Sequence, residues 1–217
     1  MKRHLNISLV FFLFSSIIFS QNKFNYDKIF QVSEKLPKFG FVIEKTGSDS
    51  FLVYYNIKIY NAESNILIQS LNMTDYYIYY SKYEFPIDSL VDMNFDGYKD
   101  LCVYGGSGQN GKNSFYSIFL YDSLIGEFYK NPSFESIYNF IVNSKNKIIE
   151  EYFWPGACNY DCATWNTYIV KNNSLVLIES SYIEIDSITG KEQRIIEKYK
   201  DGELISKDRV SMEEEVK

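Results

Sequence analysis

The chain is almost without histidine. Its single histidine, His4, lies in the first 20 residues, which we expect to be removed from the exported protein. What remains has no imidazole to act as a general base, to activate a serine or cysteine nucleophile, or to bind a metal ion. This excludes most hydrolase classes and leaves chemistry carried by carboxylates, as in glycoside hydrolysis.

Cysteine is also scarce, with three residues: Cys102, Cys158 and Cys162. In an oxidising compartment, Cys158 and Cys162 of "PGACNYDCATW" can close a small disulfide ring, leaving Cys102 as a buried strand thiol. Bridges from Cys102 to either partner remain open, because spacing does not fix connectivity. A zinc site would need four ligands, and the sequence has no second cluster to supply them.

Residues 1–20 predict a secretory signal peptide. Lys2 and Arg3 precede an apolar run that extends to Ile18, and Ser20 stands before the expected cleavage point. The run is shorter than the roughly 20 residues of a spanning helix, and no basic stop-transfer flank follows it, which argues against the alternative of a membrane anchor. We therefore expect an exported protein, periplasmic or extracellular, with no membrane anchor after cleavage.

The remaining chain is acidic. Cleavage would remove two basic residues and no acidic one, so that 22 basic residues become 20 against 28 acidic ones, a net charge of −8. Such a charge disfavours nucleic acid and favours cations or basic partners. The length suits one monomeric domain, and we predict a single β domain over residues 21–210 and a solvated charged tail over 211–217.

The dominant hydrophobic period is two, which is typical of strands. One side of an extended segment takes the apolar residues Phe51, Val53, Tyr55, Ile57 and Ile59, and the other takes Asn56 and Lys58. Tyr and Phe together supply 37 residues that suit a pleated surface. Asn172-Asn173 and Asp201-Gly202 mark tight hairpins. The sequence therefore predicts a mostly β fold, an antiparallel hairpin meander. The one exception is a short amphipathic helix predicted over residues 24–36 before Pro37.

A longer turn pattern occurs three times. "YNAESNIL" (60–67), "YDSLIGEF" (121–128) and "IDSITGKE" (185–192) each begin the turn with Asn or Asp, at Asn61, Asp122 and Asp186, and place Gly or Asn where a positive φ is needed. Three copies suggest a repeated, propeller-like meander.

The stretch "DMNFDGYKDLCVYGGSGQNGKN" (92–113) combines two motifs. Its second half resembles a phosphate-binding loop, but Asn113 stands where that loop needs Ser or Thr, and a strand pattern follows instead of a helix. Its first half has the spacing of a calcium loop, with Gly97 at the sharp turn and ligands expected from Asp92, Asn94, Asp96, the Tyr98 backbone carbonyl and Asp100. Val103 occupies position 12, so any remaining ligand must come from elsewhere or from water. The alternative is a hairpin turn stabilised by its own side-chain hydrogen bonds.

The segment "DMNFDGYKDL" resembles the calcium loop of integrin-α (FG-GAP) propeller repeats. More broadly, residues 85–207 resemble a family of small secreted bacterial proteins that carry one such loop, a "DxxxGxF" hairpin, and hairpins like "TYIVKNNSLVLIES" and "EKYKDGELI". The resemblance implies a propeller-like β fold that binds calcium and inhibits lysozyme-like peptidoglycan hydrolases as an immunity protein. It also implies that Ser107-Gly108 enters the hydrolase cleft, although an ordinary Gly-rich surface loop is an equal alternative.

Two other functions stay open. A calcium-stabilised adhesion module would bind carbohydrate or protein through exposed aromatic residues, with Trp154, Tyr160 and Trp165 as candidates, although such side chains are more often buried. A carboxylate hydrolase would need two acids facing a cleft, and the sequence alone does not assign such a pair. On balance we expect a non-catalytic protein.

Overall fold

The described residues form three antiparallel sheets. The structure, a computed structural model, describes residues 24–48, 52–76, 87–107, 112–155 and 162–212. The predicted signal peptide and residues 213–217 of the predicted tail lie outside these ranges. Within them, all 14 regular elements are strands, and no helix is long and apolar enough to cross a membrane. The prediction of a mostly β, antiparallel fold is confirmed.

Strand order follows the chain in every sheet. The first sheet contains β1 (Lys28–Phe30), β2 (Phe39–Ser48), β3 (Leu52–Asn61) and β4 (Leu67–Tyr76). The second contains β5 (Ile87–Val91), β6 (Asp100–Ser107), β7 (Ser114–Asp122) and β8 (Glu127–Tyr138). The third contains β9 (Ile141–Asn143), β10 (Ile148–Phe153), β11 (Thr164–Lys171), β12 (Ser174–Ile185), β13 (Glu192–Lys200) and β14 (Glu203–Ser211).

The helix predicted over residues 24–36 is wrong. Residues 28–30 form β1, which pairs antiparallel with β2 through Phe30 and Phe39. Phe30 and Val32 face inward while Ile29 and Gln31 are exposed, so the local period is two. Burying these two side chains against the first sheet outweighs the weak helical propensity of the segment.

The second sheet is buried on both faces. Leu101, Val103 and Phe119 face the first sheet in one hydrophobic core, and Cys102 and Ile118 face the opposite way in a second core. The second core also takes Ile149 from the third sheet. The middle sheet therefore holds the other two together, and Cys102 is a buried strand residue as predicted.

The three copies of the turn pattern adopt one geometry. In each turn, the side-chain oxygen of the capping residue (Asn61, Asp122 or Asp186) accepts hydrogen bonds from the backbone N–H groups two and three positions later. The backbone N–H four positions after the capping residue also donates to the backbone carbonyl of the capping residue. The residue that donates this hydrogen bond has a positive φ in all three turns: Asn65 at 57°, Gly126 at 78° and Gly190 at 69°. The predicted repeat of the turn is confirmed.

The two tight hairpins are also confirmed. Asn172 and Asn173 have φ values of 50° and 57° between β11 and β12, and Asp201 and Gly202 have values of 51° and 87° between β13 and β14. Two successive positive φ angles are the signature of the hairpin turn whose twist matches its flanking strands.

We predict that Gly126→Ala lowers the free energy of unfolding by about 1 kcal/mol, because a side chain at φ +78° is strained. Gly47→Ala is the control: it has no positive φ, and an added Cβ would meet only ordinary contact, 3.8 Å from the Tyr54 ring. Urea unfolding of both variants tests this. Equal losses of stability would contradict the assignment of strain to the turn.

Candidate metal centre

The predicted calcium loop joins β5 to β6 and is organised around Asp92. Its carboxylate accepts hydrogen bonds from the Asp96 N–H at 3.1 Å and the Gly97 N–H at 3.0 Å. Phe95 and Gly97 have φ values of 61° and 90°, which bend the chain back toward Asp92. Burial raises the pKa of Asp92, and the neighbouring Asp96 charge acts in the same direction.

Asn94 and Asp96 lie side by side on the exposed rim of this loop. Asp96 accepts hydrogen bonds from the Tyr98 N–H at 2.8 Å and from the Asn94 side-chain amide at 3.0 Å. The same Asn94 amide donates to the side-chain oxygen of Asn173 at 3.1 Å. The rim is therefore tied to the β11–β12 hairpin of the third sheet.

Asp100 closes the loop from inside the protein. It is fully buried, and its two oxygens accept the Met93 N–H at 2.7 Å and the Tyr121 N–H at 2.9 Å. Burial raises the pKa of Asp100 to about 7, and the charges of Asp96 and Asp92 add to this effect. The loop therefore holds a buried carboxyl group whose negative charge is poorly compensated.

Within the part of the chain that the structure describes, no ion pair is found for these three carboxylates. The ion pairs identified among the described residues join Lys58 to Glu44, Lys130 to Glu135, Lys171 to Asp201 and Lys207 to Glu197, all away from the loop. A buried, unpaired charge is costly unless a proton or a cation neutralises it. The loop thus has the electrostatics of a cation site.

The carboxylates do not already converge on one point. Among the described residues, no three His, Cys, Asp or Glu side chains form a group that could hold a metal ion. The hydrogen bonds predicted for a self-stabilised turn are present, and they hold the oxygens toward backbone N–H groups. Each carboxylate oxygen keeps a second lone pair, and the set predicted from sequence also includes the Asn94 amide and the Tyr98 carbonyl. The oxygen donors present are of the type that calcium takes, but as they lie they form no metal group, so the ligand set stays a prediction.

A cleft opens beside the loop, with a volume of about 570 Å³. One wall is the β1–β2 connection, and the other is the loop itself, including Asp92 and Gly97. A backbone hydrogen bond of 3.0 Å from Lys99 N–H to the Val32 carbonyl fixes the two walls together. This proximity could not be predicted from the sequence, since the two segments are distant along the chain.

Ser107, the candidate for partner binding, ends β6. It pairs with Ser114 across the β6–β7 hairpin, and its hydroxyl accepts a hydrogen bond from the Tyr104 hydroxyl at 2.9 Å. Gly108 lies outside the described residues. Asn113, which marked the failure of the phosphate-loop motif, is buried and exchanges hydrogen bonds of 2.9 and 2.8 Å with the Trp154 backbone. The Asn113 side chain therefore joins the residue before β7 to the residue after β10.

The cysteines and aromatic residues are only partly described. Cys162 is disulfide-bonded, which is compatible with the predicted partner Cys158, but Cys158 lies outside the described residues. Trp154 is 8% exposed and therefore mainly a core residue, whereas Trp165 is 40% exposed and packs on Tyr152 with ring centroids 4.9 Å apart. Tyr160 lies outside the described residues.

The raised pKa of Asp100 predicts a pH dependence of stability without metal. The folded chain holds this proton up to about pH 7, while the unfolded chain loses it near 3.8. The free energy of unfolding in EDTA should therefore fall between pH 5 and 7, since the folded state binds more protons there. Asp186 and Glu197, whose pKa values are lowered, titrate below this window.

Urea unfolding at several pH values measures this slope. Asp100→Asn is the control: it cannot titrate at this position and should reduce the slope over pH 5–7 even if it is less stable overall, while Asp92, whose pKa is also raised, is left to titrate. An unchanged slope in that variant would assign the effect to another group.

Comparison with known proteins gives one informative match. No protein-family model and no curated protein matches the chain. A solved structure of a Xanthomonas type IV secretion system related protein is similar, with a TM-score of 0.54 and 19% sequence identity. The match covers 85% of this chain and 97% of that chain, and at this identity it shows a shared fold.

Proposed function

We propose that the chain is an exported, calcium-binding β protein without catalytic activity, which acts as an inhibitor of, or immunity protein against, a peptidoglycan hydrolase. The observation that carries the calcium part is the loop from Asp92 to Asp100, with three carboxylates and no protein cation paired to them among the described residues. The inhibitor part is supported by the family resemblance of residues 85–207 and by the shared fold.

Calcium suits this loop better than magnesium. The predicted ligands are hard oxygen donors at alternate positions of a short loop, whereas magnesium usually keeps several waters and rarely uses such an all-protein cage. When bound, the ion would supply the positive charge that the buried Asp100 lacks. The residues Asp92, Asn94, Asp96, Tyr98 and Asp100 would hold it, and its role would be structural.

A propeller-like arrangement is the finer form of the fold that we infer. The three sheets follow one another along the chain, and each is a meander of neighbouring antiparallel strands. Each sheet also contains one copy of the same capped turn, at Asn61, Asp122 and Asp186. Such repetition is typical of blades built from one structural unit.

Three features support the inhibitor function and an exported location. The similar structure comes from a protein described as related to a type IV secretion system, which agrees with action at the cell envelope. The net charge of −8 expected after signal cleavage would steer a basic hydrolase toward the protein. The β6–β7 hairpin is a suitable contact, since Ser107 and Asn113 are both fixed by hydrogen bonds at its base, and preorganisation lowers the cost of binding.

An adhesion module is the second candidate, and one observation favours it. The Trp165 side chain is 40% exposed and packs on Tyr152 with the two rings tilted by 38°, so an aromatic surface is available to a sugar or a protein. The carboxylate-hydrolase alternative has one pair in a shared cleft, Glu34 and Asp92. Asp92 is already engaged by two N–H donors, and we assign it to calcium binding.

We predict one calcium site in the mature protein. Calorimetry should show a single binding event that Asp96→Ala abolishes, because this change removes one carboxylate from the ligand set. Asp122→Ala is the matched control, since Asp122 caps a turn outside the loop. At about 100 times its dissociation constant, calcium should add roughly 2.7 kcal/mol to stability. Binding that survives Asp96→Ala would place the ion elsewhere.

We further predict that the purified protein suppresses a peptidoglycan hydrolase that co-purifies with it from its own cells. Ser107→Trp should weaken suppression at least tenfold by adding bulk at the contact, an energy of about 1.4 kcal/mol. The calcium-dependent rise in melting temperature should persist in this variant, which serves as the folding control. Full suppression by Ser107→Trp would remove this hairpin from the interface, and calcium-dependent hydrolysis by the protein alone would overturn the non-catalytic assignment.

A further inference from the structure

Two turns of the first and second sheets present exposed aliphatic side chains. The β3–β4 turn presents Ile66 and Leu67, which are 65% and 49% exposed. The β7–β8 turn presents Leu124 and Ile125, which are 94% and 65% exposed. Single exposed apolar residues are common on protein surfaces, whereas a group of them marks an interaction surface.

The two turns are held next to each other. The Gln69 side chain donates a hydrogen bond to the Phe128 carbonyl at 2.6 Å and accepts one from the Phe128 N–H at 2.9 Å. Gln69 lies two residues after Leu67, and Phe128 lies three residues after Ile125. The four aliphatic side chains at the tips of these turns therefore belong to one surface, which we call the turn patch.

An aromatic cluster borders the turn patch. The rings of Phe24, Tyr26 and Tyr60 contact one another, with centroids 5.0, 4.8 and 5.9 Å apart, and Phe24 is 41% exposed. The Tyr26 hydroxyl donates to the Asn65 side chain at 2.6 Å, which fixes the cluster to the β3–β4 turn. Aromatic rings beside exposed aliphatic side chains are typical of surfaces that lie at a membrane–water interface.

The backbone of both turns is already hydrogen-bonded within the turn. Asp122 accepts the N–H groups of Leu124, Ile125 and Gly126. Asn61 accepts the N–H groups of residues 63 to 65 in the same way. A backbone N–H group that enters an apolar phase without a partner is costly. These turns can therefore leave water without leaving those donors unsatisfied.

We propose that the turn patch and Phe24 bind the surface of a lipid bilayer. Leu124 is almost fully exposed, so a protein partner would need a deep matching pocket for it, whereas lipid acyl chains need no matching shape. Phe24 is also the fourth residue after the predicted cleavage point, so the chain joins its apolar export segment beside this patch. The inference goes beyond the proposed function and requires neither calcium nor a hydrolase.

Charge determines which lipid the patch accepts. The two turns, residues 60–67 and 121–128, contain three acidic side chains, Glu63, Asp122 and Glu127, and no basic one. Anionic headgroups attract basic surfaces and repel acidic ones. The attraction therefore comes from apolar burial, and it acts on a bilayer of zwitterionic lipid.

Membrane contact at this patch leaves the β6–β7 hairpin directed away from the bilayer. β7 ends at Asp122, beside the start of β6, because the Asp100 carboxylate accepts the Tyr121 N–H. Ser107 ends β6 at the opposite end of the same sheet. A protein bound through the turn patch therefore keeps the hairpin accessible from solvent.

The test is flotation of the full mature protein with phosphatidylcholine vesicles in EDTA, so that no metal ion bridges protein and lipid. The unaltered protein should float with the vesicles. The double variant Leu124→Ser, Ile125→Ser should lower the partition coefficient about tenfold or more, because two aliphatic side chains no longer enter the bilayer. Adding phosphatidylglycerol to the vesicles should also weaken binding, because the protein is acidic.

The third capped turn supplies the matched control. Ile185 and Ile188 are 65% and 92% exposed at the β12–β13 turn. This turn lies at the far end of the 12-residue strand β12, whose other end is bonded to the metal loop through Asn173. The double variant Ile185→Ser, Ile188→Ser should keep its partition coefficient within about twofold, as expected for surface changes without contact. Both double variants should melt within a few degrees of the unaltered protein, which checks folding.

Three results would overturn the inference. The first is an unaltered protein that does not float, and the second is an equal loss of binding in the two double variants. The third is stronger binding to anionic than to zwitterionic vesicles, which would indicate electrostatic adsorption. A dimer in analytical ultracentrifugation that Leu124→Ser, Ile125→Ser dissociates, without vesicle binding, would instead assign the turn patch to a contact between two copies of the chain.

Discussion

The carboxylate of Asp100 is the interaction on which the candidate site depends. It is fully buried, and it joins the N–H of Met93 in the loop to that of Tyr121 in β7. Met93 packs in the core shared with the third sheet, and Tyr121 packs in the core shared with the first. One side chain therefore fixes the loop at the point where the two cores meet. The energetic cost is an ionisable group in an apolar setting, which the two N–H donors offset only in part, since the pKa of Asp100 is still raised to about 7.

The loop is bonded to all three sheets, so an ion bound there would act on the whole assembly. Beyond the Asp100 contacts, Lys99 N–H donates to the Val32 carbonyl beside the first sheet, and the Asn94 amide donates to Asn173 of the third. Asn173 in turn bonds to the Tyr129 hydroxyl in β8. Separate sheets contact each other through fewer groups than paired strands do. Hydrogen bonds between sheets, such as those made by this loop, therefore contribute strongly to holding the three sheets together. On the proposal that the loop binds calcium, an ion in this position would stabilise the contacts between the three sheets.

Local features of the sequence predicted local features of the structure. Alternation placed Ile57 and Ile59 in the core, and the capped turns and tight hairpins form where their Asx and glycine residues stand. What the sequence could not supply was proximity across the chain. Val32 meets Lys99 through a backbone hydrogen bond, and the Asn113 side chain bonds to the Trp154 backbone; neither contact leaves a periodic or compositional trace in the sequence. The segment from residue 24 to 36 was misassigned for the same reason, since its strand forms only by pairing with β2.

The metal loop and the hairpin proposed to contact a hydrolase lie at opposite ends of one strand. β6 begins at Asp100 and ends at Ser107, a separation of roughly 23 Å for an extended chain. An ion at one end therefore cannot touch a partner bound at the other, and its influence must pass through the packing of the middle sheet. This sheet is buried on both faces and forms part of both cores. Because both cores are closely packed, the strands of this sheet resist small local displacements. Calcium would then control how much of the protein is folded, while the hairpin would determine what the folded protein binds.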